Sequence, residues 1–225
     1  MAKPTYTINQ RSLMAELTAS DPILKRVAEQ TLREAFFEPA VEEMKREFLS
    51  HPVTQEVAGG MGAPNVSQTL EAPFRENEAE GDTPANLWGF IGFDSSTTTP
   101  DGAIEPVLRR LDPTDTDGPK MVYAGRDKDK LTYRFEIRAP DEAAIYNDTG
   151  MPWLPGISWV KRIEQGIPGI GHFLNVSGRP SSRSGGGIQV EGQLRSGRFR
   201  PTPYLSRIFN DFLRRVTGRT PNGRR

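Results

Sequence analysis

Residues 20–52 read SDPILKRVAEQTLREAFFEPAVEEMKREFLSHP, and this stretch decides the fold. Ser20-Asp21-Pro22 is a helix start: a Ser or Asp oxygen can accept from a free first-turn N–H, and proline fits the first turn, where its missing N–H costs nothing. Ile23, Leu24, Val27, Leu32, Phe36, Phe37, Val41, Met44, Phe48 and Leu49 then recur at roughly helical spacing. The helix is expected to run to about Ser50 and stop at His51-Pro52, because the residue before proline disfavours the helical region. Pro39 falls inside it and should bend or break it. A helix this long in a small domain is expected to form a spine, packed on a sheet and on a neighbouring molecule.

Outward from the spine, residues 1–19 read as a polar N-terminal arm with one apolar stretch around Leu13, Met14 and Leu17. Residues 51–85 carry Gly59, Gly60, Gly62, Pro64, Pro73, Gly81 and Pro84 with a run of acids, and are expected to be an extended loop. Asn86–Phe93 (NLWGFIGF) is apolar on every position but its first residue and two glycines, and predicts a strand buried on both faces. Residues 94–119 predict a second long connection with a short helix at Ile104–Leu111. Met121–Ala124 and Leu131–Ala139 predict a hairpin, the second strand alternating Leu131, Tyr133, Phe135 and Ile137 with polar residues.

Pro152–Gly156 predicts a turn that inserts Trp153. A short helix is expected at Ser158–Gln165 and a last strand at His172–Val176. Residues 177–201 form a basic Gly/Ser-rich loop. Thr202-Pro203 opens an amphipathic helix that ends at Val216 with Gly218 as its stop. The resulting fold class is α+β: a long N-terminal helix on a small, mostly antiparallel sheet, with long loops, arms and a C-terminal amphipathic helix. The organisation is an arm (1–19), a core with insertions at 51–85 and 94–119 (20–176), and a basic loop with the last helix (177–225).

Composition limits the function. The 225 residues include 22 glycines and 19 prolines, with 35% hydrophobic and 26% charged residues and a formal net charge of zero. That supports a modest core, with further order supplied by partner chains. There is no Cys, hence no disulfide framework, and no stretch approaches the roughly 18 apolar residues of a membrane span. The charge is segregated: residues 1–150 hold 16 Lys/Arg against 26 Asp/Glu, and residues 151–225 hold 13 against 3. Opposite ends of opposite sign suit head-to-tail association of identical subunits.

Signals for chemistry are weak. His51 and His172 are the only histidines, no HxxH or HExxH pattern exists, and no Gly-x-Ser-x-Gly elbow is present. The glycine-rich runs at 166–171 and 185–192 lack the spacing of nucleotide loops and read as turns. Asp112, Asp115 and Asp117 fall short of a calcium loop because of Pro113 and a missing distal Glu. The sequence therefore predicts no catalytic residue, no metal and no cofactor. Arg179, Arg183, Arg195, Arg198 and Arg200, with Trp153, Trp159, Tyr204 and Phe209, are expected to make contacts between subunits or rings. Arginine favours bidentate contact with carboxylates and phosphates. The alternative for the same segment is a nucleic-acid-binding module, with Phe199, Tyr204 and Trp159 available to stack on single-stranded bases; a hydrolase centred on His172 is a third reading.

HPVT at 51–54, NVSQTL at 65–70, NLWGFIGF at 86–93, PWLPGISWV at 152–160, GIPGIGHF at 166–173, GIQ at 187–189 and YLS at 204–206 occur in this order. The series resembles neck and tail-completion proteins of contractile-tailed bacteriophages, the tail terminators and head–tail connectors, over about residues 50–215. The resemblance implies a structural virion protein made in the host cytoplasm and placed at the head–tail junction. It implies a hexameric or dodecameric ring. The implied partners are other copies of the chain, adjacent neck, portal-adaptor, tail-tube or sheath proteins, and DNA passing through the channel.

Overall fold

The structure, a computed structural model, describes residues 21–69, 86–93, 95–127, 132–152, 154–165, 172–175, 188–191 and 200–218. The arm and residues 70–85 lie outside them. The fold is α+β, with seven α-helices and six strands among the described residues.

Helix α1 is continuous from Asp21 to Ser50, α-helical over Asp21–Leu32 and Glu38–Ser50 and joined by a π-turn over Arg33–Phe37. The π-turn is the answer to Pro39. Proline has no N–H to give the carbonyl four residues back, and its ring would clash there. Widening the preceding turn, so that the Glu38 N–H bonds Arg33 O, absorbs the defect without breaking the helix. The second half of α1 buries Ala40, Val41, Met44 and Phe48; the first half, Asp21–Leu32, buries no residue.

His51-Pro52 ends α1 as expected, but the chain does not then become a loop. Pro52 opens helix α2 (Pro52–Ala58), and His51 Nδ1 accepts from the Val53 N–H at 3.3 Å. A proline that stops one helix is well suited to be the first residue of the next. A 3₁₀ turn follows at Gly60–Gly62.

The expectation of a strand at 86–93 is corrected: Leu87–Ile91 is helix α3. Its burial is as expected, with Leu87, Trp88, Phe90, Ile91 and Phe93 all inside. Asn86 decides the conformation. Its Oδ1 accepts from the Gly89 N–H at 3.0 Å, while its Nδ2 donates to the carbonyls of Gly60, Met61 and Ala63. Gly92, at φ +85°, closes the helix in the left-handed conformation.

Helix α4 (Pro100–Arg110) is capped by Thr99, whose Oγ1 accepts from Gly102. Strands β1 (Lys120–Asp127) and β2 (Thr132–Arg138) form the expected antiparallel hairpin, with a bulge between Tyr123 and Gly125. Tyr133, Phe135 and Ile137 are half-buried and alternate with exposed neighbours. Helix α5 (Glu142–Asp148) leads to β3 (Gly150–Met151) and β4 (Leu154–Ser158), then to α6 (Trp159–Gln165). Strands β5 (His172–Asn175) and β6 (Ile188–Glu191) pair antiparallel, so residues 185–192, read as a turn, contain a strand. The strands make three separate two-stranded antiparallel ribbons.

Helix α7 (Leu205–Thr217) lies on α1. The Phe37 and Phe212 rings meet edge-on at 6.2 Å, Phe48 stacks with Tyr204 at 5.9 Å, and Arg215 pairs with Glu47. Gly218 ends α7 at φ +62°, as expected. The start differs from expectation. Thr202 does not cap it; Glu164 Oε1, from α6, accepts from the Tyr204 and Ser206 N–H groups at 3.2 and 2.7 Å. A carboxylate there also complements the positive end of the helix dipole. The core thus joins the second half of α1 to α2, α3, α4, α6 and α7.

Candidate interaction surface

Three of the expected contact aromatics belong to the core instead. Trp159, Tyr204 and Phe209 are 1%, 0% and 3% exposed. They lie on the buried faces of α6 and α7, so the last helix docks on its own chain rather than presenting these rings to a neighbour. Tyr204 OH bonds Thr54 Oγ1, its ring sits 4.7 Å from that of His51, and burial holds its phenol well above the usual range. Arg200 is exposed, and its N–H donates to Thr69 O at 2.8 Å. Arg179, Arg183, Arg195, Arg198 and Trp153 lie outside the described residues.

The polar clusters are internally neutralised. Arg110 donates to Asp115, Asp117 and Asp148 at 2.6–2.8 Å, Arg109 joins it on Asp148, and Lys45 reaches Asp112 at 3.2 Å. Asp112 is drawn down to about 2, chiefly by the Thr114 hydroxyl and N–H. These carboxylates serve ion pairs and turn hydrogen bonds. Among the described residues no group of three or more His, Cys, Asp or Glu is arranged to hold a metal. His51 is held below its ordinary pKa by burial and by Arg207, and its Nδ1 is occupied by the Val53 N–H.

Glu56 is buried completely. Its Oε1 accepts from the Leu87 N–H at 2.6 Å and its Oε2 from the Ser67 N–H at 3.0 Å. One carboxylate therefore ties α2 to the chain on both sides of residues 70–85. Buried carboxylates require such partners. Nothing in the composition distinguishes Glu56 from the wet acids of α1; the sequence around it, Val53-Thr54-Gln55-Glu56-Val57, is itself mixed and gives only Val53 and Val57 as neighbours on a helical face.

Most of the large apolar side chains that the core leaves exposed among the described residues lie on α1: Ile23, Val27, Phe36 and Leu49, with Val66 and Val122 elsewhere. Ile23 and Val27 are 59% and 53% exposed, one helical turn apart on one face. The opposite face is fixed to the hairpin: Asp21 Oδ1 accepts from Arg126 Nη1 at 2.6 Å and from Tyr133 OH at 2.8 Å, and Lys25 lies 3.9 Å over the Tyr123 ring. Two residues along an α-helix is roughly 200° of rotation, so pinning Asp21 and Lys25 turns Ile23 and Val27 outward. On the hairpin side, a groove of about 590 Å³ opens between the π-turn, β1–β2 and the end of α7. Leu32, Phe36, Met121, Tyr133, Phe135 and Ile137 line it, with Val216 at its end. Phe36 is 53% exposed there. The sequence contained a signal for this: apolar residues fall on more than one face of the first half of α1, the mark of a helix covered on more than one side.

Comparison with protein-family models, with curated proteins and with solved structures found no match. No helix among the described residues is long and apolar enough to cross a membrane.

Proposed function

We propose that the chain is a non-catalytic structural subunit that assembles with copies of itself through the outer face of α1. The observation that carries this is the outward pair Ile23 and Val27, presented on a helix whose other face is pinned to the hairpin. Among the described residues Ile23 is the most exposed large apolar side chain and Val27 shares its face, and exposed aliphatic residues on a fixed scaffold favour a protein partner. Burying each aliphatic side chain contributes about 1.5–3 kcal/mol to association. The segregated charge favours head-to-tail contacts, which close into rings when the rotation allows.

The finer reading, a hexameric or dodecameric ring at the head–tail junction of a contractile-tailed phage, rests on the ordered sequence motifs from HPVT at 51–54 to YLS at 204–206. Electron microscopy of the purified protein tests it. Rings with a central channel are expected, and particles no larger than one chain overturn the reading.

A further inference from the structure

The outer face of α1 and the groove on its hairpin side are two apolar surfaces that look in opposite directions. Ile23 and Leu32 are nine residues apart, roughly 900° or two and a half turns, so they stand on opposite sides of the straight first half of the helix. Ile23 and Val27 form a ridge on the outer side, and exposed Gln30 and Glu34, held to each other at 2.8 Å, continue it. Leu32 and Phe36 line the groove, whose wall is apolar apart from Tyr133, Arg134 and Thr217. The Asp21–Leu32 half of α1 buries no residue, although it carries Ile23, Leu24, Val27 and Leu32. Apolar side chains on two sides of a helix call for cover on two sides.

The described residues select what enters the groove. Outside it, the exposed large apolar side chains are Ile23, Val27, Leu49, Val66 and Val122. Leu49, Val66 and Val122 fall in three separate segments: the end of α1, the turn beyond α2, and β1. Ile23 and Val27 alone among them stand one helical turn apart, and a ridge of side chains spaced four residues apart is what packs into a groove on another helix. Charge agrees: Glu34 puts a carboxylate at the end of the ridge, and Arg134 stands on the groove wall. A guanidinium has five N–H donors and can take this carboxylate alongside whatever it already holds. Because ridge and groove lie on opposite sides of one helix, no copy can fill its own groove. We infer that the groove of one copy receives the Ile23–Val27 ridge of the next copy, a contact that rests on the assembly surface proposed above and names what that surface meets. The contact is head-to-tail, so each added copy leaves one ridge and one groove open until the rotation closes a ring. Outer face meeting outer face would instead be two-fold and would stop at two copies.

Complementary variants test it. Ile23→Asp/Val27→Asp spoils the ridge and keeps the groove; Phe36→Asp spoils the groove and keeps the ridge. All three side chains are more than half exposed, so both variants are expected to keep the wild-type thermal midpoint. In sedimentation at concentrations where the wild-type chain is assembled, each variant alone should run as one chain. Mixed in equal amounts they retain one working ridge and one working groove, and should form a pair of about 50 kDa, twice the 25.0 kDa chain, and nothing larger. The chain contains no cysteine, so single Val27→Cys and Phe36→Cys variants give an independent reading. Oxidising their mixture should link the two different variants, while Val27→Cys alone should form no dimer with itself. If Phe36→Asp lowers the midpoint, the cysteine pair decides. A Phe36→Asp chain that assembles like wild type, a mixture that stays at the mass of one chain, or a Val27→Cys chain that links to itself overturns the inference while leaving self-assembly standing. A wild-type chain that never associates removes the assembly surface, and the inference with it.

Discussion

Replacing Glu56 is the sharpest probe of how the core is held. In Glu56→Ala, the Leu87 and Ser67 N–H groups lose both acceptors inside a site with no solvent exposure. An unsatisfied buried donor costs about 1–3 kcal/mol, and hydrogen bonds to a charged acceptor sit at the upper end. The two together give about 4 kcal/mol. Glu56→Gln retains one carbonyl oxygen and points an amide N–H at the other donor, so it should cost about half as much, about 2 kcal/mol. Taking an urea m-value of about 2 kcal/mol/M, the midpoints fall by about 2 M for Ala and about 1 M for Gln. Equilibrium urea unfolding followed by far-UV circular dichroism measures both. A shift below about 0.3 M for Ala, or a Gln variant as damaged as Ala, would refute the argument that the carboxylate satisfies two orphan donors.

Three further outcomes follow from the same geometry. Asn86→Ala removes the cap of α3 and leaves three carbonyls without their donor; a loss of about 2–4 kcal/mol is expected in the same urea assay, and Asn86→Asp, which keeps the cap alone, should fall between. His51 is held below its ordinary pKa by burial and by Arg207, so the unfolded chain binds the extra proton: stability is full above about pH 6.5 and declines as pH falls below it. Tyr204 also faces the ring, and its raised pKa keeps it neutral throughout; His51→Asn, which retains a capping acceptor, should flatten the acid decline in urea midpoints taken at pH 7.5 and 5.5. Ile23→Asp with Val27→Asp should abolish self-association in sedimentation experiments while changing monomer stability by no more than about 0.5 kcal/mol, because both side chains are exposed.

Much of the fold was legible because its signals are periodic. The α1 span, the β1–β2 alternation, α6, and α7 with Gly218 as its stop all follow from spacing and end residues. What escaped was decided by single contacts. Leu87–Ile91 is too short and too uniformly apolar for spacing to separate helix from strand; Asn86 and Gly92, a cap and a left-handed stop, held the answer. Pro52 was read as a terminator when it also starts α2. Trp159, Tyr204 and Phe209 stand near basic residues in sequence and so suggest contact residues, yet amphipathic helices place the basic side chains on the wet side and these rings inside. The candidate surface was legible only in part. The excess apolar residues of α1 implied a neighbour, but which of them face outward depends on Asp21 and Lys25 holding the hairpin, about one hundred residues away in sequence.

Self-assembly is the central claim, and the mass of the purified full chain in native buffer tests it most directly. Sedimentation velocity across a hundredfold range of concentration should reveal a closed species near 150 or 300 kDa, roughly six or twelve times the 25.0 kDa chain. A single species at the mass of one chain throughout that range would contradict the account.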